Sequence, residues 1–142
     1  MKWFRHDSNA NSDAKLKRVR MKYGLQGYGL YWYCLELICS DFEKSNITFE
    51  LEHDAEIIAF DTGINYQLVN EMMTFMIECG LFESSEGKIT CLKMASRFDS
   101  SMTSNPEFRN IIKDLSSSHD KVMTNHDSVM AEDNRIDRKS DV

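Results

Sequence analysis

Residues Gly27 to Asp41 read Gly-Tyr-Gly-Leu-Tyr-Trp-Tyr-Cys-Leu-Glu-Leu-Ile-Cys-Ser-Asp. Placed on a helix at about 100° per residue, the stretch has apolar side chains on two opposite sides and leaves water a narrow arc near Glu36 and Ser40. A helix that is apolar almost all round is packed on both flanks, and this one is shorter than the roughly 20 residues that span a bilayer. We therefore predict a central core helix. Its buried side chains are predicted to be Tyr28, Leu30, Tyr31, Trp32, Cys34, Leu35, Leu37, Ile38 and Cys39.

The segment before the core helix predicts a basic helix. Ser12 is suited to be the N-cap of a helix from Asp13 to Tyr23. Gly24 is suited to the position just after that helix. Residues 24–27 then form a short connection into the core helix. The predicted inward side chains of the basic helix are Leu16, Val19 and Tyr23.

The first residues of the chain show no periodicity. We expect them to run extended, with Trp3 and Phe4 packed against the core. His6, Asp7 and Asp13 are residue types that bind metals. Capping and local hydrogen bonds account for such residues more often, so we predict no metal site here.

A strand and a short helix are predicted after the core helix. Residues 47–51 alternate apolar and polar side chains, which is typical of a half-buried strand. His53 or Asp54 then opens a helix that ends at Phe60. We expect its apolar side chains to enter the core, namely Ile57, Ile58 and Phe60.

A short turn containing Gly63 separates this helix from a second one. Residues 66–79 form the second helix, with Asn65 as its N-cap, and Ile64 and Val69 stand where a hydrophobic staple would join them. Two helices joined by a short glycine turn make the helix-turn-helix pattern. The second helix has an apolar side and a polar side, and the polar side consists of Gln67, Asn70, Glu71, Thr74 and Glu78.

Two strands are predicted after Gly80. Residues 81–84 and 88–92 form a hairpin whose turn is Ser85-Glu86-Gly87. Apart from the basic helix, the order is helix, strand, helix, helix, strand, strand, which is that of a winged helix with the hairpin as its wing. The predicted fold class is therefore α+β and mostly helical: a winged helix with an extra N-terminal basic helix.

The chain divides into three predicted parts. Residues 1–100 form the winged-helix domain with its N-terminal extension. Residues 101–115 form a loop and a short amphipathic helix that begins at Asn105 and Pro106. Residues 116–142 are polar and without apolar periodicity, so we expect a disordered tail.

The composition is that of a globular protein of 142 residues, with 42% hydrophobic and 28% charged residues. We expect no signal peptide, because the N-terminus has no apolar segment, and no membrane span, because no apolar run approaches 18 residues. The four cysteines contain no C-x-x-C pair. They are predicted to be reduced and buried in a cytoplasmic protein rather than to bind zinc or form disulfides.

The net charge of −6 hides a segregation along the chain. Residues 1–22 hold seven cations and two acids, residues 36–86 hold one cation and twelve acids, and residues 88–113 hold five cations and two acids. Many of these charges belong to solvated helix faces. The segregation nevertheless predicts a surface with basic and acidic regions.

Enzymatic motifs are missing from the sequence. We find no P-loop, nucleophile elbow or H-E-x-x-H. His53 lies near Glu52, Asp54 and Glu56, but no second cluster faces them in the sequence, so a capping or surface role is favoured. We predict a protein that is not an enzyme and has no cofactor, metal or small-molecule substrate.

Several blocks of the sequence resemble a known family. These are residues 3–10, Asp13-Ala14-Lys15-Leu16, Lys22-Tyr23-Gly24 and Gly27-Tyr28-Gly29-Leu30-Tyr31-Trp32. They resemble a domain of unknown function that stands at the N-terminus of phage and prophage replication-organiser proteins. That domain is similar to the N-terminal winged helix of DnaD-type primosome proteins. The resemblance covers roughly residues 1–100, and it implies a role in phage-type DNA replication in the cytoplasm of a bacterial host cell.

The first functional hypothesis is DNA binding. The start of the second helix of a helix-turn-helix enters the major groove, and Asn and Gln can read adenine edges. This helix has no Lys or Arg, although cations normally supply the affinity for phosphates. The predicted base-reading residues are Asn65, Gln67, Asn70 and Thr74, and the predicted basic DNA-binding surface is Lys15, Lys17, Arg18, Arg20, Lys22, Lys88, Lys93 and Arg97.

The alternative hypothesis is a protein-interaction module. The acidic face of residues 66–79 would dock a basic partner, such as a replication protein or the basic helix of another copy. The charge segregation permits such self-association, and no DNA contact is then needed.

Overall fold

The structure is a computed structural model that describes residues 1–115 and residue 117. It is mostly helical with a small antiparallel sheet. The predicted tail, residues 116–142, lies outside the described residues apart from residue 117. The elements are α1 Ala14–Asp41, α2 Ala55–Thr62, α3 Tyr66–Glu78, β1 Glu83–Ser85 and β2 Lys88–Thr90, short 3₁₀ turns at Ala10–Ser12, Leu92–Arg97 and Ser100–Met102, and a last helix, α4, over residues 106–115.

Helix α1 is broken at Gly24 into a basic arm (residues 14–23) and a core arm (residues 25–41). Gly24 has φ 68° and ψ −156°, a backbone conformation that is essentially restricted to glycine. The prediction of two helices is therefore confirmed. The predicted connection over residues 24–27 is wrong, because the helix resumes directly after Gly24. The N-cap is Asp13, whose carboxylate accepts a hydrogen bond from Leu16 N, and not Ser12.

The two arms pack closely at Gly27. A Cβ atom on Gly27 would lie 2.8 Å from Tyr23 Cβ and 2.8 Å from Val19 Cγ1. Real Cβ atoms do not approach other carbons so closely, so a glycine is needed where the core arm meets the basic arm. Gly27 of the Gly-Tyr-Gly block therefore allows the core arm to pack against the basic arm.

The core arm is buried on both flanks, as predicted. Tyr28 and Leu37 are half-buried, while Glu36 and Ser40 face solvent. Helix α4 adds Phe108 to the same core. The fully buried side chains of the core arm are Leu30, Tyr31, Trp32, Cys34, Leu35, Ile38 and Cys39, each at most 9% exposed.

Helices α2 and α3 begin at the predicted caps. Asp54 accepts from Ile57 N, and Asn65 accepts from the first backbone amides of α3. The predicted burial of α2 is correct for Ile58 and wrong for Phe60, which is 88% exposed. Residues two apart on a helix point about 200° away from each other, so α2 buries Ile58 and turns Phe60 outward. Ile57 is also exposed.

The hairpin forms with a tighter turn than predicted. Ser85 pairs with Lys88, so the turn contains Glu86 and Gly87 alone. Both residues have positive φ, 53° and 77°. This is the backbone of a two-residue type I′ hairpin turn.

The predicted strand over residues 47–51 is reduced to one bridge. Glu50 pairs with Thr90, supported by hydrogen bonds from Leu51 N to Ile89 O (2.8 Å) and from Cys91 N to the carbonyl of residue 49 (2.9 Å). This segment therefore lies beside β2, on the side away from β1. No helix within the described residues combines the length and the hydropathy that crossing a bilayer requires.

The N-terminal segment is hydrogen-bonded to the 3₁₀ turn that follows β2. Arg5 N donates to the carbonyl of Arg97 at 2.9 Å. Phe4 is half-buried, as expected, whereas Trp3 is 52% exposed and the expectation for it was wrong. The aromatic surface of Trp32 is covered instead by the ring of His6, 3.5 Å away and nearly parallel to it.

Candidate nucleic-acid interface

The polar side of α3 and the basic arm of α1 share one groove of about 440 Å³. The basic arm contributes Lys22 and Tyr23. The sequence predicted both elements but not that they lie side by side. The α3 residues that line the groove are Gln67, Asn70, Glu71, Thr74, Phe75 and Glu78.

Aromatic contacts hold Lys22 in this groove. Its Nζ lies 4.6 Å from the centre of the Phe75 ring, a cation–π distance. The ring of Tyr23 meets Phe75 edge-on with centroids 5.5 Å apart. A cation is therefore fixed beside a helix that has none of its own.

The Tyr23 hydroxyl is enclosed at the same place. Burial and the nearby carboxylate of Glu71 together raise the pKa of Tyr23 to about 12. The hydroxyl therefore stays neutral at physiological pH. The sequence predicted Tyr23 to be an inward residue but not part of a groove, because its position there depends on how α1 and α3 pack.

The predicted cations of the basic arm divide into open and engaged side chains. Lys17, Arg18 and Lys22 are exposed. Lys15 is half-buried, with its Nζ 3.5 Å from the carbonyl of Gly80. Arg20 is half-buried; it donates to a backbone carbonyl of the N-terminal segment and lies near the Tyr28 ring. Three of the five thus remain open to a ligand.

Lys88, at the start of β2, borders the α3 face from the other side. It is exposed and lies 3.7 Å from a carboxylate oxygen of Glu50. Together with Asn70 it lines a cleft of about 340 Å³ between the start of α2, the hairpin and α3. Asn70 lines both this cleft and the groove beside Lys22. The surface from Lys22 across α3 to Lys88 is therefore continuous.

Arg97 does not belong to the exposed basic surface. It is 7% exposed, its Nη1 donates to the carbonyl of Arg5 at 2.9 Å, and its guanidinium carbon lies 4.9 Å from the centre of the Trp32 ring. It is the last residue of the 3₁₀ turn Leu92–Arg97. Lys93 is exposed but faces a separate cavity that it shares with Asp7 and Asp13.

Two of the four predicted base-reading residues use their side chains in hydrogen bonds within α3. The side chain of Asn65 is used as the N-cap of α3, and the hydroxyl of Thr74 donates to the carbonyl of Asn70 at 2.9 Å. Gln67 and Asn70 are exposed and line the groove. These two side chains are placed to contact a ligand.

His53 lines the cleft beside Lys88 together with Glu50, Glu52 and Asp54, which precede α2. Within the described residues, no group of three His, Cys, Asp or Glu side chains is placed to hold a metal ion. Three of the four cysteines are buried, and Cys79 is half-buried.

The fold and this surface define a small, mostly helical domain with a two-stranded antiparallel sheet and a cation-flanked helix face. The chain belongs to the family described as Lin1244/Lin1753-like, N-terminal, a domain of unknown function that matches residues 3–92. The match extends from the N-terminal segment to just beyond β2. Among curated proteins and among solved structures, none matches this chain.

Proposed function

We propose that this protein is a winged-helix module that binds duplex DNA, with α3 facing the major groove and flanking cations facing the phosphates. The observation that carries the proposal is the position of Lys22, which Phe75 holds beside the polar face of α3. A recognition helix without cations is poorly suited to DNA. The neighbouring arm supplies the charge that α3 lacks.

The order of the elements supports the winged-helix interpretation. The segment at Glu50 lies beside β2, and β2 lies beside β1. A small sheet in this order, with the hairpin at its edge, is the arrangement in which a wing stands next to a helix-turn-helix. Lys88 at the start of β2 is then the wing cation that lines the cleft beside α3.

The chemistry of the surface fits a mixed mode of contact. Lys17, Arg18 and Lys22 neutralise phosphates, which supplies affinity without sequence preference. Gln67 and Asn70 reach base edges, and their amides pair with adenine. Lys93 and Arg97 are left out of the proposed contact set because of their positions.

The proposed biological role is accessory to phage-type DNA replication in the cytoplasm of a bacterial host cell. It rests on the resemblance of the N-terminal blocks to replication-organiser domains. The proposed action is non-enzymatic: the protein marks or organises DNA, and replication proteins act on it.

The acidic face of α3 supports the interaction alternative less well. Glu71 and Glu78 line the same groove as Lys22, so their charge is partly balanced within the chain. A basic partner arriving at that face would meet Lys22. We therefore prefer DNA over a basic protein as the occupant of this groove.

The test is the double substitution Lys17→Glu and Arg18→Glu. Both side chains are exposed, so the fold is expected to persist. Loss of two phosphate contacts is expected to weaken duplex binding and to lower the slope of log K against log salt by about 2. Fluorescence anisotropy over a salt series measures both quantities.

The matched control is Lys2→Glu with Lys113→Glu. These side chains are also exposed, Lys2 lies near the loop before α4, and the change in net charge is the same. Equal losses in both double variants would show that net charge alone governs binding. Unchanged affinity and slope in the first variant would reject the proposed surface.

A further inference from the structure

A second groove, away from the polar side of α3, is mainly apolar. It lies between the core arm and the turn after α2 and has a volume of about 510 Å³. Leu25 and Ile64 line it together with Leu30. Leu25 is 78% exposed although it is a large apolar side chain. Leu25 and Ile64 therefore leave apolar surface uncovered in the groove, on which another apolar side chain can pack.

Carboxylates flank one end of this groove. Asp61 accepts a hydrogen bond from the Tyr33 hydroxyl at 3.2 Å. Burial and the carboxylate of Asp61 raise the pKa of Tyr33, and Glu36 follows Tyr33 by three residues, on the same face of the core arm. None of the described residues that line the groove is a Lys or Arg. The groove therefore suits an apolar side chain that is accompanied by cations.

The basic arm carries such a side chain. Met21 is 82% exposed. It lies four residues after Lys17 and three after Arg18, so the three side chains share one face of the helix. Methionine is flexible and adapts to irregular apolar surfaces. The face therefore presents one apolar knob between two cations.

We infer that the groove of one molecule receives Met21 from a second copy of this chain. Met21 packs between Leu25 and Ile64, and the cations beside it face the carboxylates of Asp61 and Glu36. The complementary charges and the two exposed apolar side chains identify the occupant. Two different surfaces meet, so the contact is heterologous, and the assembly closes into a ring or grows as a chain. The contact uses Lys17 and Arg18, which the proposed function places on phosphates, so DNA and a second copy would compete for this face of the basic arm.

The test uses two single substitutions, each on one side of the contact. Met21→Glu replaces the knob by an acid that the groove repels, and Leu25→Lys places a cation in the groove. Both residues are exposed, so both variants are expected to fold. Light scattering without DNA is expected to show assembly of the wild type at low salt that weakens at high salt. Each variant alone is expected to need a roughly tenfold or higher concentration to assemble.

A mixture of the two variants is the decisive sample. Met21→Glu retains an intact groove and Leu25→Lys retains an intact knob, so an equal mixture is expected to form a one-to-one heterodimer. The control is Leu92→Ser, which removes an exposed apolar side chain elsewhere and is expected to leave assembly unchanged.

Three results would overturn the inference: a wild type that stays monomeric at all concentrations, a mixture that stays monomeric while the wild type assembles, or loss of assembly in the Leu92 variant. Because no DNA is present, failure here does not affect the proposed function. Likewise, unchanged DNA affinity in the titration would not alter the interpretation of the scattering experiment.

Discussion

Gly27 and Gly29 are two residues apart on the same helix and have different roles. An added Cβ at Gly27 would clash with Tyr23 and Val19, whereas an added Cβ at Gly29 meets no atom within 4 Å. The first glycine is thus required by the packing of the two arms. The second lines the apolar groove and keeps it open.

Two alanine substitutions test the different roles of these glycines. Gly27→Ala is expected to lower the free energy of unfolding by about 1–3 kcal/mol, because the arms must separate to admit the methyl group. Gly29→Ala is expected to raise it by about 0.5–1 kcal/mol, since alanine restricts the unfolded chain. Urea denaturation of both variants measures the two signs. Equal effects would show that Gly27 is not a packing constraint.

Arg97 shows why residue type alone misplaces a side chain. An arginine in a basic segment predicts a solvated cation, yet this one is enclosed by the N-terminal segment and the Trp32 ring. Those partners are about 60 to 90 residues away in the chain. No local pattern contains them, so the burial of Arg97 was not predictable from the sequence.

Glycines and N-cap residues predicted the helix boundaries reliably. Gly24 breaks α1, Gly63 ends α2, and Asp54 and Asn65 start α2 and α3. These effects depend on one residue and its near neighbours. The extent of the strand around Glu50 was overpredicted, because pairing also depends on a partner strand of equal length, and β2 is short.

A substitution at Glu86 tests the type I′ turn of the hairpin. Glu86 is a non-glycine residue with φ 53°, which costs an L-residue roughly 1–2 kcal/mol. Asparagine tolerates this conformation, and Asn-Gly is a preferred type I′ pair. Glu86→Asn is expected to raise the free energy of unfolding by about 0.5–1 kcal/mol. Thermal and urea denaturation measure it, with Ser85→Asn as a control at a neighbouring position of ordinary φ. A destabilised Glu86 variant would contradict the turn assignment.

In the folded molecule, a basic and an acidic region of the sequence lie side by side. The basic arm lies beside α3, so Lys22 faces the groove that contains Glu71 and Glu78. Linear charge counts predicted regions of opposite sign. They did not predict that two of these regions meet within one chain, because that depends on the break at Gly24 and on the packing of α1 against α3.

Buried thiols make stability depend on alkaline pH. Burial raises the pKa of Cys34 and of Cys91 from 9.0 to about 12. The unfolded chain therefore loses these protons first, so the contribution of the thiols is complete below pH 9 and is lost between pH 9 and pH 12. From pH 8 to pH 10, each thiol is expected to lower the free energy of unfolding by about 1.4 kcal/mol.

Urea denaturation at pH 8 and pH 10 measures this loss. Cys34→Ala is expected to be less sensitive to the pH change than the wild type by about 1.4 kcal/mol. Cys79→Ala is the matched control, because Cys79 is only half-buried and its removal is expected to change the pH sensitivity less. Identical sensitivity in the Cys34 variant and the wild type would contradict the burial argument.

Local patterns in the sequence predicted the elements: the aromatic core arm, the break at Gly24, the capped helix pair and the glycine hairpin. Each depends on interactions between residues close in the chain, which periodicity and capping patterns record. Packing between distant segments determined which polar residues share a surface. It placed Lys22 beside Gln67 and Asn70, enclosed Arg97, and left Phe60 and Leu25 in solvent. Those outcomes depend on contacts between distant segments, and composition and spacing carry no record of them.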